Sequence, residues 1–159
     1  MAYTVGETII HPAHGGCVVQ AISDIDVGGS SEECYTLKLL NDLKMTMFVP
    51  LRSSDIIGLR DVINSSDAQD IMNSIPDMET DWIQANNVRK QAFSRILRSG
   101  SLMELANMIK TLVHYSRLKS LSVYDQNFYK DGMKKLVSEL SLSLKRDYDH
   151  MENFILGAM

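Results

Sequence analysis

His11, His14 and Cys17 follow one another at intervals of three residues, and Cys34 lies further along the chain. Imidazole nitrogens and thiolates are suitable donors for a tetrahedral zinc site. The spacing is less suitable, because structural zinc sites normally use tighter ligand pairs. His14 also falls in the run His11-Pro12-Ala13-His14-Gly15-Gly16. There proline fixes one dihedral and the glycines permit positive φ, so His14 reads as a turn residue. Cysteines in strands act as small hydrophobes. A His14–Cys17 nucleophile pair lacks the electropositive surroundings that lower a thiol pKa. The glycine pairs have no strand–turn–helix setting and make no phosphate-binding loop. His114 and His150 fall on predicted helices as surface or packing residues. No metal, no cofactor and no enzymatic activity are expected.

The other chemically distinctive residue is Trp82, the single tryptophan. Thr80 is placed to cap a helix and Asp81 to meet its positive end, so a helix is predicted from there to about Ser99-Gly100. On a wheel of that helix the apolar arc is Ala85, Val88, Ala92, Phe93, Ile96 and Leu97. Trp82 lies to one side of the arc with Asn86 and Arg89. Either the indole is a core residue under a loose amphipathic pattern, or it is held at a helix end and offered to a partner.

Charge is distributed unevenly along a chain of net −4. Residues 82–119 carry Arg89, Lys90, Arg95, Arg98, Lys110, Arg117 and Lys119 against the single acid Glu104, a net of +6. A solvated helix surface and a local phosphate-binding face both fit this block. The overall acidity argues against a general nucleic-acid binder.

The elements that must position these residues divide near residues 55–64. The first half reads as short strands: Thr8 to His11, Cys17 to Ile22 with an extension to Ile25, Glu33 to Leu39, and Met45 to Val49. The turns are 11–16, 28–31 and Asn41-Asp42, and Pro50 ends the last strand. This suggests a small, strongly bent antiparallel sheet or barrel. The second half changes to helical periodicity. Ser66-Asp67-Ala68-Gln69, Ser101-Leu102-Met103-Glu104 and Ser122-Val123-Tyr124-Asp125 are helix start signals. They open helices through Ser74, to about Leu118, and along a stripe from Phe128 to Leu144. Tyr148, Met151, Phe154 and Ile155 continue that stripe, as a separate helix in one reading. The expected fold is two-domain α+β, residues 1–60 all-β and 61–159 an all-α bundle. No apolar stretch approaches the length of a membrane span, and the N-terminus lacks signal-peptide features. The default location is the cytoplasm, where Cys17 and Cys34 stay reduced.

Three N-terminal segments in order carry a family resemblance. Val5-Gly6-Glu7-Thr8-Ile9-Ile10-His11-Pro12-Ala13-His14-Gly15-Gly16 resembles the opening of the CarD/CdnL family of bacterial transcription regulators. Met45-Thr46-Met47-Phe48-Val49-Pro50 is similar to that family's "MTVMVP" strand. Ile57-Gly58-Leu59-Arg60-Asp61-Val62 is similar to its "VGLR-x-V" segment. Further on, Asp81-Trp82, Ile96-Leu97-Arg98-Ser99-Gly100-Ser101 and Glu104-Leu105-Ala106 resemble its Trp helix and the helix start after it. The family usually places basic residues directly behind the Trp. Here Ile83, Gln84 and Ala85 stand there, and Arg89 and Lys90 are the first cations.

The resemblance implies a Tudor-like β domain that docks on the β subunit of RNA polymerase, with Ile25, Thr46, Met47 and Phe48 at the contact. It implies a helical domain that meets promoter DNA, largely independently of sequence, at the upstream edge of the melted region. Trp82, Asn86, Arg89 and Lys90 would make that contact and stabilise the open complex, in a nucleoid-associated protein. A reading of another class is a protein–protein adaptor whose helices only scaffold or dimerise. A homodimer stays open under both.

Overall fold

The computed structural model describes residues 2–159. They form two compact units, divided between Val62 and Ile63. The predicted division at 60/61 falls two residues earlier, because a short strand extends the β unit.

In the first unit, β1 (Thr8–His11), β2 (Gly15–Val27), β3 (Ser30–Leu39), β4 (Thr46–Pro50) and β5 (Arg60–Asp61) build an antiparallel sheet. Its order is β4-β3-β2-β1-β5, so β4 and β5 are the two ends. A 3-10 turn (Leu51–Ser53) and a single helical turn, α1 (Ser54–Ile57), lead from β4 to β5. The predicted extension of the second strand is real and longer, since β2 runs through Ile25 to Val27. Gly28 and Gly29 form a two-residue turn, both with positive φ, as a tight hairpin between twisted strands requires. The pairing of β2 with β3 slips between Val19 and Ala21, a bulge that helps bend the sheet. Inward residues close a core of Ile9, Cys17, Val19, Tyr35, Leu37 and Val49. Beyond Ser23 and Cys34, β2 and β3 continue as a ribbon that neither β1 nor β4 accompanies.

The second unit is helical: α2 (Ser65–Ser74), α3 (Asn86–Ser99), α4 (Leu102–Ser116), α5 (Val123–Leu144) and α6 (Tyr148–Ala158), with a 3-10 turn (Ile75–Asp77) after α2. No helix among the described residues is long and apolar enough to cross a membrane. Two start signals act as read. The Ser101 hydroxyl accepts from the Glu104 amide at 3.2 Å, and the Ser122 hydroxyl from the Asp125 amide at 3.1 Å. The first signal is displaced, since the Asn64 side chain, not Ser66, accepts from the Asp67 amide at 2.8 Å and caps α2. The long α5 packs centrally, burying Met133, Leu136, Val137 and Leu140 against α4 and its neighbours. Gly132 permits the close approach, because a Cβ there would lie 3.0 Å from Met108 Cε and 3.3 Å from Leu105 Cδ1.

The Trp helix differs from its predicted form. It begins at Asn86, with Ala85 at the N-cap and no side-chain cap, and ends at Gly100 as expected. Thr80, Asp81 and Trp82 lie ahead of it in irregular backbone. The apolar arc is also rotated: Val88 and Ala85 are exposed, whereas Arg89 and Phe93 are buried. The Arg89 side chain, which takes the carbonyls of Ile83 and Gln84, overrides the local capping pattern.

Candidate functional site

Beyond the 3-10 turn, in which the Met78 amide donates to the Ile75 carbonyl at 3.2 Å, the stretch to Ala85 has no regular structure, so most of its carbonyls need partners from elsewhere. Cationic and amide side chains supply them. Lys110, on α4 and buried, donates from Nζ to the carbonyls of Ile75 at 2.7 Å, Pro76 at 2.9 Å and Met78 at 2.8 Å. Asn107, one turn earlier, donates from Nδ2 to the Glu79 carbonyl at 2.7 Å. At the far end Arg89 Nη1 donates to the carbonyls of Ile83 at 2.8 Å and Gln84 at 3.5 Å. In a helix begun at Asp81 those two carbonyls would face the amides of Asn87 and Val88. Turned toward a guanidinium, they delay the helix to Asn86.

Trp82 sits between these two anchors. Its ring stacks on Tyr115 with centroids 3.6 Å apart and planes 2° from parallel. Arg89 Cζ lies 4.4 Å from the indole centroid. Tyr115 and the guanidinium thus both lie against the indole ring. Phe93 meets the indole edge-on at 6.5 Å. Trp82 is half-buried. Among the described residues the indole N–H has no protein partner, and it is not enclosed.

The cations of the +6 block divide into two groups. Arg89 is only 4% exposed. Its Nε and Nη2 donate to Asp125 Oδ1 at 3.0 Å and Oδ2 at 2.9 Å, and Nη2 also donates to Asn86 Oδ1 at 2.9 Å. Together with the two carbonyls, these bonds engage every N–H of the guanidinium. Arg89, expected at an open surface, is therefore interior and saturated. Lys110 is interior as well. Lys90 is half-buried, with Nζ 3.5 Å from the centroid of the exposed Tyr124 ring. Arg95 pairs with Glu104 at 3.5 Å across a solvated surface. Arg117 and Lys119 are exposed and have no ion-pair partner among the described residues. They flank Leu118, 80% exposed, in the turn that follows Tyr115. Trp82, Gln84, Asn86, Tyr115, Ser120 and Ser122 line a polar cleft of about 180 Å³, with the Arg89–Asp125 pair at its wall.

Sequence reasoning passed over Tyr115, Arg117, Leu118, Lys119 and Asp125 as site residues. A basic pair around an apolar residue, between two helices and just before a capping serine, was the available signal.

On the β unit, Thr46 and Phe48 of β4 are exposed, Phe48 at 54%, while Met47 turns inward to pack on the core. Leu43 and Met45, just before β4, are exposed too. Ile25 is half-buried and lies opposite Glu32 on the unaccompanied ribbon, beyond the end of β4. The expected polymerase residues thus occupy an edge strand and a neighbouring ribbon rather than one patch.

The four metal-ligand candidates are not gathered. His11 Nδ1 accepts from the Ala13 amide at 3.0 Å, and the His11 and His14 rings lie 4.9 Å apart. The Cys17 thiol donates to the Gly15 carbonyl at 3.5 Å inside the core, and burial pushes its pKa up to about 11. Burial also raises the Cys34 thiol. Among the described residues no three His, Cys, Asp or Glu side chains converge on a metal position.

Comparison with known proteins agrees with this division of the chain. Residues 3–63 match the CarD-like/TRCF RID domain, and residues 70–156 match the CarD C-terminal domain. A Bacillus subtilis (strain 168) protein named "Putative transcription factor YdeB" is 20% identical over 140 residues, covering 88% of this chain and 91% of the relative. With one model on the sheet and the other across most of the helical unit, the chain belongs to the CarD family.

Proposed function

We propose that this chain is a non-enzymatic transcription regulator that docks on the RNA polymerase β subunit through its β unit. Its helical unit then contacts promoter DNA at the upstream edge of the bubble and stabilises the open complex. Family membership and the transcription-factor description of the relative support the regulatory role. The observation that carries the DNA contact is Trp82 itself, half-buried in the wall of a polar cleft, with an indole N–H that has no partner among the described residues.

The indole acts by its edge, because Tyr115 stacks on the ring and the Arg89 guanidinium lies over it. An N–H donor suits the minor groove, where adenine N3 and thymine O2 are acceptors in either orientation of the pair. Arg117 and Lys119 supply phosphate attraction that is independent of sequence, and Leu118 between them offers an apolar tip to a distorted step. Lys90 adds a further cation on its Tyr124 platform. Asn86 reaches the cleft with its amide N–H groups, while its oxygen is held by Arg89. For docking, β4 offers the main-chain groups of an edge strand, with Phe48 and Met45 as side-chain fit. Attachment to polymerase raises the effective concentration at DNA, so a weak contact suffices in an acidic protein.

The test is the lifetime of open complexes formed by polymerase with the full chain. Phe48→Asp abolishes association with the β subunit. Trp82→Ala leaves association intact and shortens the lifetime. An adaptor with a structural helical unit is the second reading, favoured by the stacking of Trp82 on Tyr115. It is the one retained if Trp82→Ala leaves the lifetime unchanged.

A further inference from the structure

Granted that Trp82 meets DNA as proposed above, we infer that Arg89 and Asp125 form a clasp that fixes the indole in the orientation offered to DNA. Arg89 is then a positioning residue rather than a phosphate contact. One guanidinium gathers three parts of the unit. It holds the chain just after Trp82 by the carbonyls of Ile83 and Gln84. It holds the first turn of α5 by the two-oxygen pair with Asp125. Its Cζ lies over the indole, 4.4 Å from the centroid, while the Tyr115 ring that α4 supplies stacks on the same indole. Asp125 is in turn fixed by the Ser122 hydroxyl, which donates to Oδ2 at 2.8 Å while capping the helix. Both side chains of the ion pair are almost wholly enclosed, 5% and 3% exposed.

No other arrangement of charge does this. A lysine ammonium is a point donor on a flexible stem and cannot pair with both carboxylate oxygens while lying flat on a ring. Upstream of Trp82, Lys110 and Asn107 anchor the irregular stretch only as far as Glu79. Without the clasp, the segment from Thr80 to Ala85 keeps one anchor and one stacked face. If the indole then holds its productive orientation about a tenth of the time, binding through it weakens about tenfold.

The Asp125→Asn variant tests this with a sign that separates the alternatives. It removes a negative charge and loosens Arg89. Were Arg89 a phosphate contact held back by Asp125, the variant would bind fork-junction promoter DNA more tightly. The clasp requires weaker binding. The full chain bound to polymerase is titrated with fork-junction DNA, and acrylamide quenching of the single tryptophan is measured on the free chain. Expected are an affinity loss of about tenfold, a clear rise in quenching, and no additional affinity loss when Asp125→Asn is placed on Trp82→Ala. Tighter binding, unchanged quenching, or losses that add fully to those of Trp82→Ala overturn the clasp. Arg89→Lys preserves the charge and is read by quenching alone. It matches Asp125→Asn if the fork geometry matters, and stays at the parent value if it does not. It also decides the matter should Asp125→Asn fail to fold, as judged by circular dichroism. If Trp82→Ala itself leaves DNA affinity intact, the DNA reading fails, and the quenching of the two clasp variants still decides whether the indole is positioned this way.

Discussion

The two units bury different kinds of residue. The core of the β unit is apolar apart from His11, Ser54 and its thiols, while the helical unit encloses Arg89, Lys110, Asp125 and Glu139. The difference follows from what the main chain needs. Ladder bonds satisfy the strands, so their side chains are free to be hydrocarbon. The helical unit contains an irregular stretch from Ile75 to Ala85 and an irregular entry at Ile63. Its buried charges serve those segments. Lys110 and Arg89 donate to five of their carbonyls, and Glu139 Oε2 accepts from the Ile63 amide at 2.9 Å. Charge inside this unit stands in for missing secondary structure.

Breaking the comparison at its strongest point means removing Arg89. Arg89→Met strands the Asp125 carboxylate in the interior and frees two carbonyls. A stability loss of about 3–5 kcal/mol is expected, measured by urea denaturation of the full chain. Lys110→Met is the next largest. It keeps the stem and removes three charge-assisted bonds without leaving a buried counter-charge. A loss of about 2–3 kcal/mol is expected in the same measurement. If Arg89→Met costs no more than a surface substitution, the interior cation is not a support and the reading of the irregular stretch fails.

The β unit makes the opposite prediction, since its sensitive group is a neutral thiol. Cys17 has its pKa raised by burial from 9.0 to about 11. Between those values the unfolded chain loses the thiol proton and the folded chain keeps it. Stability contributed by the protonated thiol is therefore full below pH 9 and is lost as pH rises toward 11. The loss is about 3 kcal/mol. Cys17→Ala should flatten that part of the pH–stability curve relative to the parent, with urea midpoints as the readout. An unchanged slope would mean that the thiol is less enclosed than its 0% exposure indicates.

Legibility divides the same way. The strands were readable because alternation and turn residues are local, and the caps at Ser101 and Ser122 because their partners lie three residues on. The strand β5 was not, since Arg60-Asp61 is too short to show a period and exists through pairing with Ile9 and Ile10. The start of α3 is not legible because Thr80-Asp81 is a sound local cap signal, overruled by Arg89 of α3 itself, which takes the carbonyls of Ile83 and Gln84, and by Tyr115 of α4, which stacks on Trp82. The candidate site suffered most. Seven cations in one block are visible to anyone who counts them. Whether a cation faces water depends on Asp125, 36 positions from Arg89, and on carbonyls that a sequence does not distinguish.

The smallest effect on stability should come from cations that the interior leaves unused, above all the pair that flanks Leu118. Arg117 and Lys119 are exposed and unpaired among the described residues, so Arg117→Ala with Lys119→Ala should move the urea midpoint by less than the equivalent of about 0.5 kcal/mol. Their effect should appear in salt dependence instead. Each phosphate neutralised by a cation releases condensed counterions, and the slope of log affinity against log salt steepens by about 0.9 per contact on duplex DNA. Removing both should make the slope shallower by roughly 2, while weakening affinity evenly across promoter sequences. Arg95→Ala is the internal control, because Arg95 is exposed but already paired with Glu104. A slope that falls equally for Arg95 and for the Arg117/Lys119 pair would point to a diffuse positive field. A fall confined to the pair ties the contact to the turn after Tyr115, beside the indole edge.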